Sequence, residues 1–200
     1  LRKRDRRPRF GLVWERGDEI AHDLSINNDF VMLDWDAELS CGEGPQGNLV
    51  IEGDNFDALR YLRMTHAGRV KCIYIDPPYN SGAKDWKYNN DYVEKDDLYR
   101  HSKWLAMVER RLLIARELLN PVDSVLIATI DEKEYLRLGL LLEQIFPNAR
   151  MQMISSSINP KGSARGKEFY RVDEYIFFVS IGRAVVQDHL VPGLCISKAE

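Results

Sequence analysis

Val70-Lys71-Cys72-Ile73-Tyr74-Ile75-Asp76-Pro77-Pro78-Tyr79 is the stretch from which the fold is read. Apart from Lys71, its first six residues are β-branched, aromatic or small, the composition of a buried strand. Pro77 and Pro78 then close the strand, because neither can donate to a sheet ladder. Ligands of open α/β sheets bind beyond the carboxyl ends of strands, which is where Asp76 falls. The two prolines also fix φ and remove two backbone donors, so the local carbonyls accept hydrogen bonds without competition from their own amides. An acidic acceptor, a rigid carbonyl and an aromatic ring are thereby gathered at one corner. A sharp turn alone would explain an Asp-Pro pair. Placement at a strand end, ahead of an aromatic-rich segment, favours a site.

Working outward, Leu49-Val50-Ile51 reads as a short buried strand after the Gly/Pro-rich connector of residues 40–47. Gly53-Asp54-Asn55 turns into a helix, with Asp54 or Asn55 as N-cap and Phe56, Leu59, Leu62 and Met64 near helical spacing, and Gly68 ends it. Residues 80–95 form a polar connection holding Trp86, Tyr88 and Tyr92; connections of this length are usually functional. Asp96 or Asp97 then caps the longest helix, whose inward face is Leu98, His101, Leu105, Val108, Leu112, Ala115 and Leu119, up to Pro121. A strand over 122–130 follows, then a helix capped by Asp131 and lined by Tyr135, Leu138, Leu142 and Ile145, ended by Pro147. Residues 151–155 and 175–181 read as two more strands, joined without a helix through the basic loop Asn159 to Lys167. Strands alternating with helices predict an α/β fold: a mostly parallel sheet, helices on both faces and an antiparallel end. Residues 1–47 are expected to be an irregular extension and linker, with Phe10 to Trp14 as an apolar anchor; 48–182 the main unit; and 183–200 the start of a following segment.

Bulk properties narrow the classes. The 200 residues are 44% hydrophobic and 30% charged, an ordinary globular balance with enough chain for one core. No apolar run approaches the ~20 residues of a membrane helix. The charged N-terminus lacks the apolar segment of a secretory signal, so a cytoplasmic location is expected, and a first residue Leu1 suggests a piece of a longer chain. The three cysteines, Cys41, Cys72 and Cys195, have no CxxC spacing, which argues against a disulfide framework or zinc site. The four histidines, His22, His66, His101 and His189, show no metal-ligand spacing either. A net charge of -3 is not the footprint of a nucleic-acid binder, although Arg2, Lys3, Arg4, Arg6, Arg7 and Arg9 are clustered.

The corner at Asp76 suits a planar amino group. The exocyclic nitrogen of adenine is a poor nucleophile, because its lone pair is delocalised into the ring. Asp76 and the Pro77 carbonyl suit its two N–H groups, which would aim the lone pair at an electrophilic methyl. Tyr79 is a candidate to stack on a base that has left the duplex.

Together with Phe10-Gly11-Leu12-Val13-Trp14, Asn48 to Asn55, Ile73 to Asn80, Trp104-Leu105 leading to Arg110-Arg111-Leu112, Ile127 to Glu134 and Asp173-Glu174-Tyr175, the chain resembles the β-class amino-methyltransferases. The likeness is nearest to the modification subunits of type III restriction–modification systems and covers roughly residues 10 to 182. It implies a partial Rossmann-like (class I) fold and methyl transfer from S-adenosylmethionine to adenine N6 of a flipped-out DNA base. By the same resemblance Asp76, Pro77, Pro78 and Tyr79 are catalytic. Asp54, Asn55 and Asp76 border the cofactor, and Asn80, Trp86, Tyr88, Lys161, Arg165 and Lys167 meet DNA. The implied partners are double-stranded DNA, a restriction subunit with nuclease and helicase activity, and a second copy of the full-length protein. Asp at position 76 leans toward adenine over cytosine N4, the alternative target, since Ser is frequent there in the cytosine enzymes. The family's Phe-x-Gly-x-Gly cofactor motif is absent from the 200 residues. These residues alone are therefore expected to bind cofactor weakly and to be inactive, and a non-catalytic DNA-binding or assembly module is the competing expectation.

Overall fold

The computed structural model describes residues 12–14, 32–42, 47–88, 91–94, 96–162, 167 and 169–186. Helix α1 (Asn55–His66) begins where the Asp54 carboxylate accepts the amides of Phe56, at 2.8 Å, and Asp57, at 3.4 Å. That cap satisfies two of the orphan donors of the first turn. Gly68, at φ 66, reverses the chain beyond the helix, and strand β1 (Cys72–Ile75) follows. Next come strands β2 (Ala83–Tyr88) and β3 (Asp91–Glu94), helix α2 (Arg100–Leu118), strand β4 (Asp123–Ile130) and helix α3 (Tyr135–Ile145). Strands β5 (Arg150–Ser157) and β6 (Asp173–Gly182) end the order.

The main sheet runs β1-β4-β6-β5. β1 and β4 are parallel, with Ile73 opposite Leu126 and Ile75 opposite Ala128. β6 is antiparallel to both β4 and β5. The α/β class and the antiparallel end agree with expectation, while the parallel share, one pair among the described strands, is smaller than expected. The reason is topological: β6 inserts between β4 and β5, which makes two antiparallel contacts instead of one.

One face of this sheet carries the core. Leu126, Ala128, Ile130, Phe177 and Val179 are buried against Trp104, Leu105, Val108, Leu112 and Ala115 of α2 and Leu138, Leu141, Leu142 and Ile145 of α3. α3 lies close because residue 139 is glycine: a Cβ there would stand 3.2 Å from the Phe177 ring. Truncating such a residue, Leu112 for instance, costs about 2–5 kcal/mol. Helices α2 and α3 both pack on this face. Tyr74, on the other face, is 62% exposed.

Four local expectations are corrected. Leu49-Val50-Ile51 forms no strand, and Val50 is 94% exposed: a three-residue apolar run gains nothing from extension without a neighbour to pair with. Leu98 precedes α2 and is exposed rather than inward-facing. Asp97 does accept the Tyr99 amide at 2.8 Å, but the helix starts at Arg100 without a side-chain cap. Asp131 likewise accepts the Lys133 amide ahead of α3, and Glu134 is the capping position. The expected anchor near the N-terminus is present in Leu12 and Trp14, which pack on the core, while Gln144 Nε2 donates to the Leu12 carbonyl at 2.8 Å.

Candidate active site

Asp76 is the first residue beyond β1, and the parallel register brings Thr129 of β4 alongside it. Thr129 Oγ1 donates to Asp76 Oδ1 at 2.7 Å. The carboxylate is thus held by one oxygen, while Oδ2 has no partner among the described residues and the side chain is exposed. The Pro78 carbonyl is taken by the indole N–H of Trp104, at 2.7 Å, from a ring that is fully buried. The Pro77 carbonyl meets no donor among the described residues. One acceptor of the pair is therefore spent on holding the turn, and the other remains open.

Tyr79 is half-buried. Its hydroxyl donates to Glu174 Oε2 at 3.2 Å, and the Arg171 guanidinium stands 6.0 Å from its ring centroid. Arg171 also pairs with Glu174 and, at 3.0 Å, with Glu132. Burial pushes the Tyr79 hydroxyl well above the usual phenol range, and the neighbouring Asp76 and Glu174 carboxylates add to it. Tyr79 therefore remains a neutral donor at any working pH, with its ring orientation fixed from the β6 side.

The next residue turns inward. Asn80 is 1% exposed and sits at φ 54, in the left-handed region. For a residue other than glycine that conformation costs about 1–3 kcal/mol, although Asn tolerates it better than most. Its side chain accounts for the choice. Nδ2 donates to Glu134 Oε1 at 2.6 Å and lies 3.5 Å from the Arg100 carbonyl, while Oδ1 accepts the indole N–H of Trp86 at 3.3 Å. A flipped amide would set donor against donor and acceptor against acceptor, so the partners fix its orientation.

Glu134, with no exposed surface, is the hub of this cluster. Its Oε1 also lies 2.5 Å from His101 Nδ1, and its Oε2 accepts from Arg137 at 3.3 Å. Arg100 Nε donates to His101 Nε2 at 3.3 Å, which leaves Nδ1 as the protonated nitrogen facing the carboxylate. A buried carboxylate is tolerated only when donors surround it, and three side chains do so here.

The residues expected at the site fall into three groups. Asp76, Pro77, Pro78 and Tyr79 are together at the end of β1. Asp54 and Asn55 have structural partners: Asp54 caps α1, and Asn55 Oδ1 accepts from Arg111 Nε at 2.7 Å. Asn80 and Trp86, expected to meet DNA, are instead buried and bonded to each other, because the left-handed turn at Asn80 sends both beneath the corner. Tyr88 lies on β2, Lys161 and Lys167 are exposed, and Arg165 lies outside the described residues. Thr129, His101, Glu134, Arg171 and Glu174 join the candidate site without having been expected there, although Thr129, Glu134 and Glu174 lie in segments that carry the family resemblance. Among the described residues no cluster of three or more His, Cys, Asp or Glu could hold a metal ion, and no helix is long and apolar enough to cross a membrane.

A strand-end Asp-Pro-Pro-Tyr corner on an α/β sheet defines a class, and the comparison with known families agrees with it: residues 70–191 match the family described as DNA methylase, of the N6/N4 group, and the chain belongs to that family. Among individual relatives, it is 34% identical over 154 residues to the EcoPI type III restriction-modification Mod subunit of Escherichia phage P1, covering 65% of this chain and 24% of that protein. The HindVI Mod subunit of Haemophilus influenzae, itself described as a probable type III enzyme, is 36% identical over 143 residues, covering 70% of this chain and 18% of its own length. The chain thus spans about a quarter or less of the length of these curated relatives. The crystal structure of M1.HpyAVI overlaps 67% of this chain and 55% of its own, at 15% identity and a TM-score of 0.43.

Proposed function

We propose that this chain carries the base-binding corner of a site-specific DNA methyltransferase that moves a methyl group from S-adenosylmethionine to adenine N6, as part of a restriction–modification system. The single observation behind it is the Asp76 carboxylate: one oxygen is held by Thr129, the other is open, and a rigid Pro77 carbonyl and Tyr79 stand beside it. Asp76 Oδ2 and the Pro77 carbonyl accept the two N–H groups of the amino nitrogen. Its lone pair is then turned out of conjugation and toward the methyl. S-adenosylmethionine, when bound, supplies that methyl as a sulfonium electrophile. A corner bearing Asp76 and Glu174 suits a cation of this kind. Asp76 would stabilise the positive charge that develops on nitrogen as the N–CH3 bond forms and the S–CH3 bond breaks, and would take up one N–H proton, with S-adenosylhomocysteine as the leaving group. Positioning supplies most of the rate gain, with electrostatic help from the carboxylate.

Tyr79, with its hydroxyl held by Glu174, offers the ring face away from Arg171 to a flipped base. Asp54, Asn55 and Asp76 form the cofactor-facing side in this reading, and Tyr88, Lys161, Arg165 and Lys167 remain the DNA-facing candidates. Residues 48–182 are then the N-terminal part of the catalytic unit, 1–47 its extension and 183–200 the beginning of a further segment. By likeness to the Mod subunits, the partners are double-stranded DNA, a restriction subunit and a second copy, in the cytoplasm. The test is methyl incorporation from labelled S-adenosylmethionine into DNA by the full-length protein, with N6-methyladenine identified in the digest. Loss of incorporation in Asp76→Ala with folding intact is the expected result. Undiminished transfer by that variant, or label found as N4-methylcytosine, would refute the assignment.

A further inference from the structure

Beneath the exposed corner lies a buried polar cluster that no step of the proposed transfer uses. Asn80 follows Tyr79 directly and is locked in a left-handed turn. Its amide is bonded to Glu134, at the start of α3, and to Trp86, on β2. Glu134 in turn holds His101 of α2, three residues before the Trp104 that donates to the Pro78 carbonyl. Three separate elements, α2, β2 and the start of α3, therefore converge on the two residues that flank Tyr79. Glu134 bonds to neither Asp76 nor Tyr79, yet it is the shared acceptor: remove it, and Asn80, His101 and Arg137 all lose a partner at once.

We infer that Glu134 is a positioning residue for methyl transfer, holding the Asp76–Tyr79 corner in its reactive geometry through Asn80 and His101. This inference rests on the proposed function, and it makes a distinction that a merely stabilising role would not. The Asn80 bond fixes the backbone immediately after Tyr79, so its loss lets the Pro77 carbonyl and the Tyr79 ring drift relative to Asp76. Such drift lowers the rate of a step that depends on alignment, and it leaves phosphate contacts, hence DNA affinity, largely alone.

The experiment compares Glu134→Ala, Glu134→Gln and Asn80→Gly with wild type in the full-length protein. The readouts are kcat, KM for DNA, fluorescence of 2-aminopurine placed at the target adenine, and hydrogen exchange of amides 76–86. Glu134→Ala should lower kcat about 100-fold, with KM changed less than about threefold. It should also speed exchange in 76–86 and weaken the 2-aminopurine signal of the flipped base. Glu134→Gln keeps one oxygen for Asn80 and His101 and should recover kcat to within about tenfold of wild type. Asn80→Gly deletes the loop side of the same bond at a position where glycine relaxes the backbone, so it reports even where Glu134→Ala fails to fold. Folded variants with wild-type kcat and unchanged exchange in 76–86 would overturn the inference. If the wild-type protein itself moves no methyl to DNA, the functional reading falls. The exchange comparison still decides the anchoring: unaltered protection in Asn80→Gly rejects it, and faster exchange confined to 76–86 upholds it.

Discussion

Asp76 and Asn80 are four residues apart, and they lie in opposite environments. Asp76 is exposed, with one oxygen uncommitted, whereas Asn80 is 1% exposed, with bonds at both ends of its amide. In the proposed transfer the first reacts and the second holds. The two prolines between them cannot be held by their own amides, so the segment has to be gripped from outside. Trp104 grips the Pro78 carbonyl, Glu174 the Tyr79 hydroxyl, and Glu134 the Asn80 amide. Division of this kind predicts that substitutions at the two positions fail differently.

The largest expected effect is on chemistry at the exposed position. Asp76→Ala should reduce kcat by about 10³-fold or more, as removal of a principal transition-state contact does. The thermal midpoint should stay close to wild type, because the side chain is exposed and its one bond is to Thr129. A large drop in midpoint would place Asp76 on the holding side and break the comparison. At the buried position the pattern should reverse toward stability. Asn80→Ala leaves Glu134 and the Trp86 indole each short of a partner and should destabilise by about 1–3 kcal/mol. Asn80→Gly loses the same bonds but relieves the left-handed backbone, and should be milder than Ala by about 1 kcal/mol. Urea titrations of the two variants that order them the other way would show that the φ of 54 carries no strain.

Thr129→Val sharpens the comparison from the reacting side. It removes the one anchor on Asp76 Oδ1 while keeping the β-branched shape within β4. A hydrogen bond to a charged group is worth about 1.5–3 kcal/mol, so a loss of about tenfold in kcat is expected. An unchanged kcat would mean that the carboxylate finds its geometry without Thr129.

The alternation of elements was legible in the residues because periodicity and Gly/Pro punctuation are local. α1 with its Asp54 cap, β4, α3 and the β5–β6 pair follow from it. The hairpin β2–β3 was hidden by its polarity, although Trp86 and Tyr88 alternating with Lys87 carry the two-residue period of a strand. Leu49 to Ile51 failed for the opposite reason: their apolar character promised a strand, but pairing needs a neighbour. At the proposed site, Asp76 to Tyr79 stand together because they are contiguous in the sequence. Thr129, Glu134 and Glu174 reach the corner from 53 to 95 residues away in sequence, and only the sheet register and helix packing bring them there. Glu134 carried a misleading local signal, because an acidic run Asp131-Glu132-Lys133-Glu134 before a helix reads as capping alone.

That run supplies the smallest effect and a second contrast. Asp131 and Glu134 are both buried, at 2% and 0% exposure, yet Glu134 has three side-chain donors while Asp131 Oδ1 accepts the Lys133 amide at 3.0 Å. Burial pushes the Asp131 carboxyl above its usual range; the Lys133 amide bond pulls the other way without cancelling it. A raised folded-state value means that the folded protein takes up this proton before the unfolded chain does. The group's favourable contribution is therefore present below the ordinary Asp range and is lost as pH rises through the folded value. At neutral pH the ionised Asp131 is a small burden on stability. Asp131→Asn keeps an acceptor for the Lys133 amide without the buried charge. It should raise the thermal midpoint slightly at pH 7, with the gain shrinking as pH falls toward 4 and the wild-type carboxyl protonates. A gain independent of pH, or a loss at pH 7, would show that the Asp131 carboxylate is needed in its charged form.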